Sequence, residues 1–457
     1  MLGRLLGLFS VPSLGCALWA LSNDRYQQAS LFVLVMMMGV VVSAVLLIAT
    51  NAKNQKAGLQ ETVTFLLSAW FSLAVFGAVP FLLRGDGSFV LALFEAVSCL
   101  TTTGSTLLDD GTPLSSSLLF WRGILHLTGA SLTITGTLIL LALSGKNTVG
   151  IQHTQARHIG ISLRFSSFLN LFGLVCLSLI GLVILTVIVL VLNDLSLREA
   201  FSLSVGAATT GELLPYESGA LVAESWIGVL LSVILLMASL NMGLLLSSVR
   251  SPKLLWRDME TVGIVAFFLL LLIILFLFEN GSGVFLSITE AASIVSTSGL
   301  MIPDHRQVEI DIPVLIFFGF LGGSAISATG GIKIFRMRIL LAQAAHEFGR
   351  LSHPNSVLKF DFDGSKDHVR AMVSVWVYLI GFAGVAALLA SYLSLLGLDF
   401  NNSMLVSVGA ITNSAALFRT ELLDGYHGGL TQMILTFSML FGRLELLLLF
   451  SLVIRTR

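Results

Sequence analysis

Long apolar runs separated by short polar connections dominate the chain. A helix that crosses a bilayer needs about 20 mostly apolar residues. Runs of about that length lie near residues 5–21, 28–49, 62–83, 118–143, 168–192, 226–249, 261–278, 312–332, 370–396 and 430–454. The pattern therefore predicts an all-α polytopic membrane protein with ten spanning helices. The first run lacks a small-residue cleavage site and is followed at once by another run, so we interpret it as a retained helix.

Composition agrees with this class of protein. Apolar residues make up 56% of the 457 residues and charged residues only 11%, whereas a soluble domain has about 25% charged residues. A formal net charge of -1 gives no bulk attraction to nucleic acid. The motifs HExxH, GxSxG and the glycine-rich nucleotide loops do not occur in the sequence, so we expect neither an enzyme nor an organic cofactor in this chain.

The basic residues indicate the orientation of the spans. Most of the 25 Lys and Arg residues fall in alternate connections, which predicts that both termini lie in the cytoplasm. Acidic residues, among them Asp194 and Glu212, fall in the other connections. They indicate either a negative outer vestibule that concentrates cations or ordinary solvating charge.

Four outer connections share one design. Each has an apolar stretch that is too short to span a membrane, followed by small and hydroxylated residues near 100–106, 205–211, 295–299 and 408–415. A Glu-Ala pair precedes three of these stretches, at Glu95, Glu199 and Glu290, which indicates an internal duplication. Such a half-helix and turn can direct backbone carbonyls at an axis, where they replace the water around an ion. Four ordinary outer loops are the alternative.

The duplication divides the chain into five parts. Residues 1–58 hold two N-terminal transmembrane helices, 59–150 the first pore repeat and 151–258 the second. Residues 259–352 hold the third repeat with a gating loop, and 353–457 the fourth.

Five sequence stretches, in this order, resemble a known family. They are Phe94-Glu95-Ala96 leading to Thr101-Thr102-Thr103-Gly104; Trp256-Arg257-Asp258-Met259-Glu260; Gly322-Gly323-Ser324-Ala325 through Thr329-Gly330-Gly331-Ile332-Lys333; His353-Pro354-Asn355; and Gly442-Arg443-Leu444-Glu445. The chain resembles the Trk/Ktr/HKT superfamily of potassium transporters, closest to the bacterial TrkH/TrkG branch. The resemblance implies two leading helices and four repeats of helix, re-entrant pore loop and helix around a central ion pore. It also implies a homodimer and a cytoplasmic nucleotide-binding regulatory ring of the TrkA type.

The resemblance places a selectivity filter, with K+ at backbone carbonyls, in the four loops. The filter residues it implies are Thr102, Thr103, Gly104, Ala207, Ala208, Thr209, Thr210, Gly211, Thr297, Ser298, Gly299, Asn413, Ser414 and Ala415. In the family each loop carries a glycine. A gapless match puts Ala208 at the second glycine position, whereas a shift of three residues uses Thr209-Thr210-Gly211, and both alignments stay open. Ala415 stands at the fourth position. A Cβ at positive φ costs roughly 1–2 kcal/mol, so we expect altered carbonyl placement and weaker selectivity for potassium.

The resemblance also implies a gate below the filter. Its residues are Gly322, Gly323, Ser324, Ala325, Ile326, Ser327, Thr329, Gly330 and Gly331, together with Arg443. Small residues for close helix packing are the alternative reading of the glycines. Ile326 stands where the family has a small residue, which predicts a tighter or more apolar constriction. Arg443 lies within the tenth run, where a charge needs water or a partner. The resemblance directs it at the pore, and a structural ion pair is the alternative.

Together these features predict potassium uptake, gated by the intramembrane loop and driven by membrane potential or an ion gradient. One charge that crosses 100 mV releases about 2.3 kcal/mol, more than the roughly 1.4 kcal/mol that tenfold accumulation costs. A weakly selective potassium/sodium pathway and a non-conducting membrane subunit of the same fold are the alternatives. The expected location is a bacterial inner membrane.

Overall fold

Three helices precede the first repeat. The computed structural model describes residues 1–49, 58–84, 88–108, 114–143, 167–213, 225–248, 252–278, 283–299, 312–352, 368–418, 420–423, 425 and 428–444. The leading helices are α1 (Leu2–Ser10), α2 (Pro12–Ser22) and α3 (Tyr26–Ala49). Pro12 opens α2, where a missing backbone N–H costs no hydrogen bond. Because α1 and α2 together form one span of 21 residues, the predicted two leading spans are confirmed.

Four repeats follow, each with a long helix, a short helix and a second helix. The first has α4 (Leu59–Leu83), α5 (Phe89–Leu100) and α6 (Ser116–Leu143); the second has α7 (Phe168–Val191), α8 (Leu197–Thr209), α9 (Trp226–Ser239) and α10 (Met242–Ser248), with α11 (Lys253–Arg257) after it. The third has α12 (Met259–Phe278), α13 (Val284–Val295) and α14 (Ile312–Phe320), then α15 (Ile334–Ser352); the fourth has α16 (His368–Leu395), α17 (Phe400–Thr412), a 3-10 turn (Thr420–Leu423) and α18 (Gly429–Arg443). The predicted architecture of two leading helices and four repeats is thereby confirmed.

Seven helices in the described part of the chain are long and apolar enough to cross a membrane. The predicted span 226–249 is not one straight helix, because α9 and α10 are bent by 110° at Leu240. A break at membrane depth leaves backbone groups that need partners. Ser324 N donates to the carbonyl of Ser239 at 2.9 Å, and Met242 N donates to the carbonyl of Ile326 at 3.0 Å. The loop of the third repeat therefore supplies the partners that this break requires.

The predicted span 312–332 is also interrupted. Its helix, α14, ends at Phe320, and two short strands follow, β1 (Leu321–Gly322) and β2 (Ile332–Lys333). The strands pair in parallel and close the intervening residues into a buried loop. We call residues 322–331 the intramembrane loop.

In the tenth span, α18 ends at Arg443. Three predicted features lie outside the described residues. They are Glu445, the stretch His353-Pro354-Asn355 and the domain boundary at 150.

Burial separates the central helices from those that face lipid. The apolar window of α6 is 83% buried, whereas that of α7 is 28% buried. Trp121 of α6 donates through Nε1 to the carbonyl of Gly77 at 3.0 Å, which joins α6 to α4. The same helix directs Arg122 and His126 at the ends of the short helices. Thus α6 lies at the centre of the site described next.

Candidate functional site

The four short helices end in the same backbone turn. In each repeat a residue with positive φ stands fourteen positions after the residue that caps the short helix. The caps are Ser88, Ser196, Gly283 and Asp399, and the positive-φ residues are Thr102 (58°), Thr210 (54°), Thr297 (60°) and Asn413 (52°). This conformation is unfavourable for a residue with a Cβ. Its recurrence at one position therefore identifies a turn that all four repeats share.

The shared turn corrects the alignment of the second loop. Two positions after the positive-φ residue stand Gly104, Glu212, Gly299 and Ala415, and we call this the slot position. Ala208 is not in the slot, because it lies in the last turn of α8. Gly211 stands one position earlier. Both alignments considered from the sequence are therefore wrong, and Glu212 occupies the second slot.

Backbone hydrogen bonds support this alignment. In three loops the amide just after the positive-φ residue donates to a carbonyl of the short helix at 3.0 Å, from Gly211 to Gly206, from Ser298 to Ser293 and from Ser414 to Gly409. These donors occupy one position in the shared turn, and so do the acceptors. The equivalence of the second loop to the third and fourth therefore rests on bonding as well as on φ.

The four slot residues have two different backbone conformations. Gly104 and Gly299 have φ of 83° and 65°, whereas Glu212 and Ala415 are not among the residues with positive φ. The expected penalty for a Cβ at positive φ is therefore wrong for the second and fourth slots. Each glycine packs against a slot residue that has a side chain. A Cβ on Gly104 would lie 1.8 Å from the carbonyl oxygen of Glu212, and one on Gly299 would lie 2.7 Å from the Cβ of Ala415.

The Glu-Ala pair of the second loop is not equivalent to the other two. Glu199 stands in the first turn of α8, where its carboxylate accepts from Ser196 Oγ at 2.6 Å and from Ser196 N at 3.1 Å. Glu95 and Glu290 instead lie mid-helix and are fully buried. Glu199 thus belongs to the capping box that begins α8, with Ser196 as the cap. The chance recurrence of Glu-Ala misled the sequence alignment by four residues.

Glu95 and Arg122 form a buried ion pair that holds the first loop in place. Arg122 Nη1 donates to Glu95 Oε2 at 3.2 Å, and its Nη2 donates to the carbonyl of Gly104. Glu95 Oε1 also accepts from Thr106 Oγ1 at 2.9 Å and from Leu107 N at 2.8 Å. Both charged side chains are buried, so these hydrogen bonds are needed to offset the loss of hydration. The pair therefore sets the position of the Gly104 carbonyl.

The loops contact one another. Asn413 Nδ2 donates to Thr103 Oγ1 at 3.2 Å and to the carbonyl of Met439 at 2.9 Å. Ser105 Oγ donates to the carbonyl of Phe418 at 3.1 Å. The first loop therefore touches the fourth, as it touches the second through Glu212 and the third touches the fourth through Gly299. These contacts bring the four turns into one cluster.

The intramembrane loop docks directly onto this cluster. Gly330 N donates to Thr297 Oγ1 at 2.9 Å, and Gly331 N donates to the carbonyl of Thr412 at 2.8 Å. A Cβ on Gly330 would lie 1.6 Å from the Thr412 oxygen. Only a glycine allows this approach without displacement of the backbone.

Arg443 joins the first loop to the intramembrane loop. Its Nε donates to the carbonyl of Thr101 at 2.6 Å, and its Nη2 donates to Thr102 Oγ1. Its Nη1 donates to the carbonyls of Ala328 at 2.6 Å and Thr329 at 3.1 Å. The planar guanidinium can serve both sides at once because its donors point in fixed directions. A small cavity of about 40 Å³, lined by Thr137, Thr329 and Arg443 among others, adjoins this bridge.

Other polar contacts stabilise the intramembrane loop from within. Glu260 accepts from Ser324 Oγ and from Ala325 N, the latter at 3.1 Å. Lys333 Nζ donates to the carbonyl of Thr329 and to its Oγ1, the latter at 3.2 Å. Ile326 is 1% exposed, and the tighter constriction expected from it stays a prediction.

Known proteins resemble this chain over its whole length. The sequence model of the TrkH family, described as "Cation transport protein", matches residues 28–207. The Trk system potassium uptake protein TrkH of Vibrio parahaemolyticus is 26% identical over 100% of this chain and 98% of its own length. A crystal structure of the potassium transporter TrkH from the same organism covers 100% of this chain and 97% of that chain, with a TM-score of 0.83.

The chain resembles the TrkH family in sequence and in fold. Two other relatives are the Trk system potassium uptake proteins TrkG of Escherichia coli, 26% identical with 87% of each chain covered, and TrkI of Halomonas elongata, 28% identical with 83% of this chain and 80% of the relative covered. These relatives are named as transport proteins, and seven helices in the described part of the chain are long and apolar enough to cross a membrane, so the chain is a multi-pass membrane protein and not an enzyme.

Most residues predicted for a TrkH-family filter come together, and three do not. Ala207 and Ala208 lie within α8 and pack in its apolar core, and Thr209 ends that helix with its Oγ1 3.4 Å from His126 Nδ1. The residues gathered in the turns are Thr102, Thr103, Gly104, Thr210, Gly211, Thr297, Ser298, Gly299, Asn413, Ser414 and Ala415.

Several buried polar atoms of these turns have no hydrogen-bond partner among the described residues. They are Thr210 Oγ1, Asn413 Oδ1 and Ser414 Oγ. A buried polar group without a partner costs roughly 1–3 kcal/mol unless water or a ligand satisfies it. All three belong to the second and fourth loops. These atoms mark the part of the cluster that is suited to a bound cation or water.

Sequence reasoning missed the roles of two residues. Arg122 is not among the residues predicted for the filter or the gate, yet it fixes the Gly104 carbonyl. Glu212 was counted only among the outer acidic residues, yet it fills a slot. The available signal was Glu95, a carboxylate within an apolar stretch, because such a charge requires a partner.

Proposed function

We propose that this chain carries potassium across the membrane along a path between the four turns. The observation that supports it best is the shared turn, which repeats four times and gathers hydroxyls and backbone carbonyls into one buried cluster. Such groups can replace the hydration shell of a monovalent cation. The relatives named as potassium uptake proteins support potassium as the ion.

In this proposal residues 322–331 form the gate. The loop lies against the turns of the third and fourth repeats, and Arg443 fastens it to the first. A guanidinium beside the path also repels cations electrostatically. Opening would require that these hydrogen bonds break. The membrane potential or an ion gradient would then drive the ion inward.

The proposed setting is the bacterial inner membrane with both termini in the cytoplasm. We extend the proposal to a homodimer and to a cytoplasmic nucleotide-binding ring of the TrkA type. The basic, amphipathic helix α15 follows the gate directly and supplies a physical link to such a partner.

A weakly selective potassium/sodium pathway is the second candidate. Glu212 and Ala415 favour it, because two of the four slots have a side chain and lack positive φ. The filter would then lack fourfold equivalence of its carbonyls.

Uptake of rubidium into liposomes tests the proposal. Purified protein is reconstituted, a potassium gradient sets the potential, and potassium, sodium and lithium compete in separate runs. Inhibition by potassium alone supports selective uptake, and equal inhibition by sodium supports the second candidate. If no uptake occurs even with a nucleotide-binding partner added, transport is refuted and a non-conducting subunit is the better account.

A further inference from the structure

Glu212 occupies a position at which the first and third loops have glycine. Its amide lies 3.4 Å from the carbonyl of Thr103, and its own carbonyl packs against the Cα of Gly104. The residue is half-buried. The second loop thus adds a carboxylate at the level of the Gly104 backbone.

This level is the end of the cluster away from the gate. Arg443 and the intramembrane loop contact Thr101 and Thr102, earlier in the first turn. Gly104, two residues later, contacts Arg122 instead. An ion that approached the turns from the side opposite the gate would therefore reach the level of Glu212 before that of Thr102.

Two carboxylates act on Arg122. Glu95 forms an ion pair with this arginine at 3.2 Å, and Glu212 also interacts with it electrostatically. Glu95 is fully buried and Glu212 is half-buried, so Glu212 is the carboxylate nearer to solvent.

An independent feature of the same loop points to a ligand. Thr210, two residues before Glu212, is 1% exposed, and its Oγ1 has no hydrogen-bond partner among the described residues. In the first and third loops the equivalent hydroxyls accept from Arg443 and from Gly330 N. The second loop therefore leaves a buried oxygen available two residues before Glu212.

We propose that Glu212 is a specificity-determining residue that creates a cation-binding position at the outer end of the filter. It rests on the proposed function, because the ligand is the transported monovalent cation. Carboxylates at the mouth of a cation pathway raise the local cation concentration. We expect loss of the Glu212 charge to weaken cation binding about tenfold, which corresponds to about 1.4 kcal/mol.

Equilibrium binding of rubidium to the purified protein in detergent tests this proposal without any need for flux. The variant Glu212→Gln removes the charge with little change of shape, and Glu212→Asp keeps the charge. Asp194→Asn is the matched control, because Asp194 is an exposed acidic residue on the predicted outer side with positive φ that asparagine tolerates. We expect about tenfold weaker binding for Glu212→Gln and near-normal binding for Glu212→Asp and the control.

Equal affinity of Glu212→Gln and the unaltered protein would overturn the proposal, and so would an equal loss in Asp194→Asn. If Glu212→Gln does not fold, Glu212→Gly replaces it, since glycine already fills two slots, and the same loss of affinity is expected. Flux in liposomes separates the two hypotheses. Binding that depends on Glu212 without any flux retains this proposal and refutes transport, whereas flux with unaltered affinity in Glu212→Gln does the reverse.

Discussion

The docking of the intramembrane loop onto the filter turns depends on the absence of a side chain at Gly330. A Cβ there would lie 1.6 Å from the Thr412 oxygen, whereas an ordinary contact begins near 3.4 Å. In Gly330→Ala the loop must therefore retreat by about 1.8 Å, the difference between these distances. Such a retreat breaks the bond from Gly331 N to Thr412, now 2.8 Å, and the bond from Gly330 N to Thr297, now 2.9 Å.

The cost can be worked out from these contacts. Overpacking costs about 1–3 kcal/mol, and each lost hydrogen bond costs about 0.5–1.5 kcal/mol. We expect Gly330→Ala to destabilise the protein by roughly 2–6 kcal/mol. It should also accelerate rubidium uptake, because the proposed gate no longer rests on the four turns. Thermal unfolding in detergent and uptake into liposomes measure the two effects.

Gly381→Ala in α16 is the matched control. A Cβ there meets no atom within 4 Å, and alanine is about 1 kcal/mol more favourable than glycine in a helix. The control should be as stable as the unaltered protein or more so, with unchanged flux. Thr297→Val is a milder second perturbation, since it removes the acceptor for Gly330 N and keeps a β-branched side chain. Equal stability and equal flux in Gly330→Ala and Gly381→Ala would refute the docking.

Three further predictions concern the charged and polar groups around the turns. Arg443→Lys keeps the charge but cannot bridge both loops, so we expect faster rubidium flux and a lower unfolding temperature; flux equal to that of the unaltered protein would contradict the bridge. Glu95→Gln removes the carboxylate that forms the ion pair with buried Arg122, which should cost about 3–5 kcal/mol in thermal unfolding, and less in the double variant with Arg122→Met. Asn413→Asp tolerates the positive φ but loses the donor to Thr103, so we expect about 1–3 kcal/mol lower stability, and an unchanged melting temperature would count against this contact.

Much of the fold could be predicted from hydropathy alone. The lengths of the spans follow from bilayer thickness, which is why the long helices such as α3 and α12 match their predicted ranges. The break between α9 and α10 could not be predicted, because its freed backbone groups bond to Ser324 and Ile326, more than 80 residues away in the chain. The local sequence pattern contains no information about a hydrogen-bond partner so far away in the chain.

The site was predicted less completely, for a different physical reason. The slot is defined by backbone geometry after the short helix, and the sequence shows only side chains. A Glu-Ala pair can cap a helix, as Glu199 does, or lie mid-helix beside an arginine, as Glu95 does. Counting from the helix cap removes this ambiguity. The cap of the second helix is Ser196, and from it Glu212 falls into the slot without any gap.

The most direct test of the account is to locate the cation itself. Crystals of the protein grown in rubidium would be measured at the rubidium absorption edge, where anomalous scattering identifies the ion. The account predicts a peak between the four turns, next to Thr103, Thr210 and Ser298 and on the side of Arg443 that faces away from the intramembrane loop. A protein that transports rubidium in liposomes but shows rubidium only elsewhere would contradict it.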